Sequence, residues 1–286
     1  MTRGENAVPG EALADVDYLS RSANRVAILD ALADAPATRR ALAERTDVSR
    51  ATLDRIVNEF EERGWAERRA DGEYAATAAG THVVREFRPF VESVAAVNRL
   101  GDAVEWLPTE GLDISLGAFS DATVRHPKND DPAETVEFVT ELIRDSAEFR
   151  SLTHLFPPGL FARVMREEVL AGDLTVEAVA TGDVVEHIRD SPDRRDRWRD
   201  VLAAGSDLYR CEPPIPCNLM VFDGTVLIKR SDAGPIDDAY GVPIVSERDA
   251  VAAWAHDVID SYRDETRRVD ADVFTGPGTA GADGGE

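Results

Sequence analysis

Ser49, Arg50, Ala51 and Thr52 stand together, and Arg55 follows within one helical turn. Hydroxyls and guanidiniums donate hydrogen bonds to phosphate oxygens and to base edges. A small residue such as Ala51 lets the backbone come close to a partner. This is the chemistry of holding a polyanion rather than of making or breaking bonds. The same stretch places Leu53, Ile56, Val57 and Phe60 at i, i+3, i+4 and i+7, which predicts a helix from Ser49 to Arg63 with one buried stripe. Arg55, Asn58 and Glu62 then lie roughly opposite that stripe. Ser49 can cap the helix, a helix N-terminus attracts phosphate, and Gly64 ends the run.

The elements that would position these groups surround them. Thr38 can cap a preceding helix, "TRRALAERT", in which Arg39 helps to position the next one. Leu42, Ala43, Val48, Leu53 and Ile56 form a small core between two crossed helices, a helix-turn-helix arrangement. The turn position usually held by glycine is Asp47, a residue that tolerates the left-handed conformation. After Gly64, "WAERRADGEYAAT" reads as a hairpin turning at Asp71-Gly72. That hairpin puts Arg68 and Arg69 on a wing, within reach of phosphate or a minor groove. An ordinary three-helix bundle is the plain alternative. Winged helices also dock other proteins, and Asp54, Glu59, Glu61 and Glu62 suit that second use.

Charge bears on the same question. The chain of 286 residues carries 32 basic and 55 acidic residues, a formal net charge of −23. Only two of the basic residues are lysine, Lys128 and Lys229. An acidic excess with scarce lysine resembles the proteins of salt-accumulating halophiles; a GC-rich genome is the other explanation. From Thr38 to Gly72 eight arginines face eight acids, so the negative excess lies outside the segment that would meet DNA.

Other chemistries find no footing. The sequence has no G-x-S-x-G elbow, no phosphate-binding G-x-x-x-x-G-K-[ST] loop and no H-E-x-x-H pair. Catalytic residues, a cofactor and a metal site are therefore not expected. Cys211 and Cys217 read as half-buried thiols, with a redox switch as the alternative, and His154 as a structural histidine, with a ligand contact at a strand end as the alternative. No run approaches the ~18 apolar residues of a membrane span, and the N-terminus lacks an apolar signal core. A cytoplasmic protein without membrane contact is expected.

The fold class expected is α/β overall: a mostly helical N-terminal module with a hairpin wing, then an α/β domain with a mainly parallel or mixed sheet. Residues 1–14 read as a flexible N-terminus and 15–80 as the winged module, whose first helix is "YLSRSANRVAILDALAD". Residues 81–100 continue a long amphipathic helix. Its Val83, Val84, Phe87, Val91, Val94 and Val97 are expected to form a seam for a homodimer; packing onto the helix's own domain is the plain alternative. Gly101, Pro108 and Gly111 mark 101–111 as a linker. Residues 112–265 alternate strand-like and helix-like segments, from a first strand "LDISLGAF" to a closing helix ending near Thr266, with an antiparallel pair turned at Asp223-Gly224. The tail 266–286 has the composition of a disordered segment.

Residues 17–80, through "NRVAILDALADAPATRRALAERTDVSRATLDRIVNEFEERGWAERRADGEYAATAAG", resemble the winged helix-turn-helix of ArsR/MarR-type regulators. Residues from about 110 to 265 resemble the effector domain of FilR-type, methanogenesis-regulatory-protein-like archaeal regulators. The matching lines are "FPPGLFARVMREEVLAG", "IPCNLMVFDGTVLIKR" and "GVPIVSERDAVAAWAHDVIDSYRD". The resemblance implies a transcription regulator that binds a double-stranded DNA operator. Its α/β domain would sense a small-molecule effector or mediate assembly.

Overall fold

The computed structural model describes residues 9–109, 113–127, 131–212, 214–231, 234, 239 and 241–275. The chain forms two compact units, Met1–Glu92 and Ser93–Glu286.

The first unit holds α1 (Gly10–Ser20), α2 (Ala23–Asp34), α3 (Arg39–Thr46) and α4 (Arg50–Glu62), then β1 (Ala66–Arg68) and β2 (Tyr74–Ala76). Its core gathers Ile28, Leu29, Leu32, Leu42, Leu53, Ile56, Val57 and Phe60. The single helix expected over 18–34 is two helices. Ser22 adopts extended backbone at the start of α2, with no side-chain capping bond, and so separates the two. Residues 10–14, expected to be flexible, form the first turns of α1; residues 1–8 lie outside the described part. Asp47 takes the left-handed conformation, φ 52° and ψ 32°, as the turn requires. β1 and β2 pair antiparallel, and Ala37 adds a bridge to Tyr74, which completes a small winged sheet.

α5 (Ala78–Leu100) begins where the wing ends. Thr77 joins the two: its hydroxyl donates to the Gly64 carbonyl at 2.6 Å and accepts from the Gly80 amide at 3.1 Å. A Cβ on Gly80 would lie 2.0 Å from the Trp65 carbonyl oxygen, so only glycine fits at this crossing. The seam expected along α5 divides. Val84 and Phe87 are buried in the first unit's core. Phe90, Val91, Val94 and Val97 are exposed, and Phe90 had not been expected there. Ala96 and Leu100 pack into the second unit's core.

The expected linker 101–111 belongs to the second unit. Gly101, at φ +52°, does end α5, but Ala103 and Leu107 are buried, so the following turn is anchored by apolar contact. Residues 110 and 111 lie outside the described part. The first expected strand is a correction too. Leu116–Phe119 is a 3-10 turn that buries Phe119, and Leu112 is outside the described residues. Its apolar residues pack as a short plug and find no strand partner.

The second unit contains β3 (Thr123–Val124), α6 (Pro132–Arg144), β4 (Glu148–Thr153), α7 (Gly159–Ala171), β5 (Thr175–Thr181), α8 (Gly182–Arg189) and α9 (Pro192–Ala203). It continues with β6 (Asp207–Cys211), β7 (Asn218–Phe222), β8 (Thr225–Lys229), β9 (Ile244–Ser246), α10 (Asp249–Asp264) and β10 (Arg267–Arg268). The strands form one sheet in the order β10-β6-β5-β4-β7-β8-β9-β3. β4, β5 and β6 run parallel to one another; the other pairings, β4 with β7 and β6 with β10 included, are antiparallel, so the sheet is mixed. Asp223, at φ 48°, turns β7 into β8, and its carboxylate accepts from the Ala147 and Glu148 amides at the start of β4.

The central strands are buried on both faces, which explains their unbroken apolar runs. One face, with Phe149, Val176, Met220 and Phe222, packs beneath α6, α7, α8 and α9. The other, with Leu152, Val179, Leu219 and Ile228, packs against Trp254, Ala255 and Ile259 of α10. The tail differs from its expected disorder as far as Thr275. β10 joins the sheet edge, and Val269 and Phe274 are buried as apolar anchors that an average over composition hides. Residues 276–286 lie outside the described part. Among the described residues no helix is long and apolar enough to cross a membrane.

Candidate nucleic-acid interface

The N-terminus of α4 is built by its cap. The Ser49 hydroxyl accepts from the Thr52 amide at 3.4 Å and donates to the Thr52 hydroxyl at 3.0 Å. Ser49, Arg50 and Ala51 are exposed and Thr52 is half-buried, so the four sit together at one helix end. The buried stripe of Leu53, Ile56, Val57 and Phe60 fixes which way this end faces. Unpaired amides and the helix dipole add positive potential there. Arg50 has no ion pair or side-chain hydrogen bond among the described residues, so its guanidinium is available to an incoming phosphate or base edge.

Arg55 and Arg39 are placed differently. Arg55 Nη1 lies 2.9 Å from Glu59 Oε1, one turn along α4. Glu59 is itself held by the Tyr18 hydroxyl, which donates at 2.6 Å. That hydrogen bond, together with Arg55 and Arg25, keeps the Glu59 carboxyl below its usual range, while burial and Glu59 push the Tyr18 phenol up. Arg55 is 56% exposed, so its pair is a surface ion pair worth about 0–1 kcal/mol and is exchangeable. Arg39 is a strap. It donates to Asn58 at 2.8 Å, pairs with Asp54 at 3.0 Å and stacks 4.9 Å above the Tyr74 ring. It ties α3, α4 and the wing into one frame, and so acts on the interface through position.

On the wing, Arg68 and Arg69 are exposed. Arg68 lies 5.9 Å from the Tyr74 ring centroid. The turn between β1 and β2 is closed by the Arg69 amide on the Glu73 carbonyl at 2.7 Å and by the Asp71 carboxylate on the Glu73 amide at 3.1 Å. The Arg69 side chain has no partner among the described residues. Two residues were missed by sequence reasoning. Tyr74 is the shared platform for Arg39 and Arg68, and an aromatic alternating in a charged hairpin was the available signal. Tyr18 anchors Glu59 across forty-one positions of sequence, and no local pattern announces that contact.

Among the described residues no group of three or more His, Cys, Asp or Glu is arranged to hold a metal. Cys211 and Cys217 are both buried, and burial pushes their thiols up to about 11 and about 12.

Two family models match the chain. Residues 13–99 match the HVO_A0261 N-terminal domain, and residues 132–265 match the middle domain of methanogenesis regulatory protein FilR1. No curated protein matches. Among solved structures the chain is similar to TrmBL2, described as an archaeal chromatin protein with a novel mode of DNA binding. That likeness has 13% identity and a TM-score of 0.41, over 89% of this chain and 98% of the other. The N,N-8-amino-8-demethyl-D-riboflavin dimethyltransferase RosA from Streptomyces davawensis is 13% identical with a TM-score of 0.24, over 71% and 82% of the two chains. The O-methyltransferase NcsB1 of neocarzinostatin biosynthesis is 15% identical with a TM-score of 0.25, over 72% and 71%.

Proposed function

We propose that this protein is a DNA-binding transcription regulator of the winged helix-turn-helix, ArsR/MarR kind. The first unit reads an operator in double-stranded DNA and the second modulates it. The observation that carries the reading is the exposed N-terminus of α4, where Ser49, Arg50, Ala51 and Thr52 converge and Arg50 has no partner among the described residues. The wing arginines lie on the same module, and the second unit's match to a domain of a regulatory protein supports the role. In this reading the protein performs no catalysis and needs no cofactor.

The regulator works as a homodimer. Phe90, Val91, Val94 and Val97 follow helical spacing and are 43–59% exposed on α5, an apolar stripe suited to a second copy. A dimer spaces two recognition helices by about one DNA turn, ~34 Å. Val94→Asp should therefore yield monomers in light-scattering chromatography with little change in thermal stability. A dimer persisting in the double variant Phe90→Asp/Val94→Asp would place the interface elsewhere.

Genome-wide mapping of bound sites, followed by anisotropy titration of those sequences, tests the DNA reading. Saturable, sequence-selective binding supports it. Binding to protein partners with no affinity for any recovered duplex would make the winged helix a docking module instead.

A further inference from the structure

The second unit carries a chamber that the DNA-reading role does not use. It lies between the sheet and α6, α7 and α9, and holds about 750 Å³ of space unfilled by atoms, counted out to its mouth. Strand alternation puts Phe149, Ser151 and Thr153 of β4 on this face. The register sets Ser151 between Ala178 of β5 and Met220 of β7, and Thr153 beside Ala180. Val139, Phe161 and Trp198 close the chamber from the helices. A sheet centre is ordinarily filled to crystal-like density, so short side chains along this row leave room for a guest.

Most of the lining is apolar, and its polar groups divide into two kinds. The first kind is committed within the protein. The Thr153 hydroxyl donates to Asn218 Oδ1 at 3.1 Å and accepts from the Leu155 amide at 2.9 Å, and the Lys229 ammonium donates to the Ala239 carbonyl at 2.7 Å. The second kind is a pair of hydroxyls, on Ser151 of β4 and Thr135 of α6. Each residue is 3% exposed and lines the chamber, and neither side chain makes a hydrogen bond among the described residues. A buried hydroxyl without a partner is costly, and a guest's oxygen in the chamber restores the missing bond. A hydroxyl can donate to that oxygen or accept from it.

We propose that this chamber binds a small neutral molecule with an apolar body and one hydroxyl or carbonyl oxygen, the body lying over Ala178 and Ala180 and the oxygen meeting Ser151 and Thr135. Apolar walls with a few placed polar groups are the usual make-up of a small-molecule site. Two neutral hydroxyls satisfy an uncharged oxygen. A carboxylate would have to leave water for a lining whose ammonium is already bound to a backbone carbonyl, so an ion is the poorer guest. The regulatory consequence rests on the effector role given to this unit above; the binding itself does not.

Calorimetric titration of the full chain tests the assignment. The probes are phenol and cyclohexanol, for the aromatic and alicyclic sources of one chemistry, with benzene and cyclohexane as counterparts that lack the oxygen and benzoate as the anion. At least one hydroxyl probe should bind saturably, and about tenfold or more tighter than benzoate. The double variant Ser151→Ala/Thr135→Val should weaken that probe about threefold to tenfold, the scale of one neutral hydrogen bond, and leave its hydrocarbon counterpart unchanged. Hydroxyls that serve only to hold water would leave the probe's affinity intact. Ala180→Leu, which fills the floor, should remove binding of probe and hydrocarbon alike, and it carries the test if the double variant does not fold. The proposal is overturned if neither hydroxyl probe binds, if benzoate binds as tightly, if the double variant keeps full affinity, or if Ala180→Leu still binds. Phenol or cyclohexanol that binds without altering operator affinity would leave the chamber's ligand standing and remove its effector role. Operator binding with no probe binding would do the reverse.

Discussion

Arg50 and Arg55 both stand on α4, yet the structure predicts unequal losses when each is removed. Arg50 has no partner among the described residues, so a contact to DNA breaks none of their bonds. One charge-assisted hydrogen bond is worth about 1.5–3 kcal/mol, so Arg50→Ala should weaken operator binding about tenfold to a hundredfold. Arg55 must first leave Glu59, a pair at 2.9 Å with the guanidinium 56% exposed. Discounting about 0.2–1 kcal/mol for that exchange, Arg55→Ala should cost less than Arg50→Ala. Glu59→Gln releases Arg55 and removes one negative charge, so it should tighten binding severalfold while lowering stability through the weakened Tyr18 bond. The assay is fluorescence anisotropy against a mapped operator at several salt concentrations. If a variant has lost a phosphate contact, the slope of log affinity against log salt should fall by about 0.9. Loss of a base contact would leave the slope and relax selectivity at one base pair. The reasoning is refuted if Arg50→Ala binds within twofold of the parent at every salt concentration, or if Glu59→Gln weakens binding.

Three further outcomes follow from the packing. Gly80→Ala should destabilise the first unit by about 1–3 kcal/mol in urea titration, because its Cβ would meet the Trp65 carbonyl; a neutral result would mean the crossing relaxes. Arg150, 8% exposed, is held by Glu177 at 2.5 Å and Asp260 at 2.6 Å and contacts His256 at 2.8 Å. Arg150→Ala should cost about 2–3 kcal/mol in the second unit, below the figure for a fully buried pair because Asp260 keeps contact with water. His187 stacks on Phe156 at 3.9 Å, and burial followed by the nearby Arg194 holds its imidazole below the usual histidine range. The unfolded chain then binds the proton more readily, so stability should fall as pH drops below about 6.5 and level off beneath the folded pKa. His187→Phe should flatten that limb; an unchanged pH profile would exclude His187 as its source.

Much of this architecture is legible in short stretches of sequence, and the reason is that its signals are local. The Leu53–Ile56–Val57–Phe60 spacing, the Ser49 and Thr38 caps, the Asp47 turn and the Asp71-Gly72 hairpin each act within a few residues. So do the Asp223-Gly224 turn and the apolar runs of β7 and β8. Helix and strand identities in the second unit follow for the same reason, except at Leu116–Phe119, where a strand was expected and a 3-10 turn is found. Where composition or breakers were read across a longer window, the reading failed. Gly101 and Pro108 suggested a linker, but Ala103 and Leu107 bury it. The polar tail suggested disorder as far back as residue 266, but Val269 and Phe274 pin it to the core.

Residue types and spacing thus determined by themselves that the chain carries a winged helix-turn-helix with a hydroxyl- and arginine-bearing helix end, followed by an α/β domain. Tertiary structure alone decided which arginines at that end are free. Arg39 is committed to Asp54 and Asn58, and Arg55 to a Glu59 that Tyr18 holds from another helix, while Arg50 has no partner among the described residues. It also decided that β4, β5 and β6 run parallel within an otherwise antiparallel sheet, and that Ser151, Ala178, Ala180 and Lys229 face one chamber. These outcomes depend on partners far apart in the chain. Their energies come from packing and charge pairing that exist only once the folded core has brought those partners within reach.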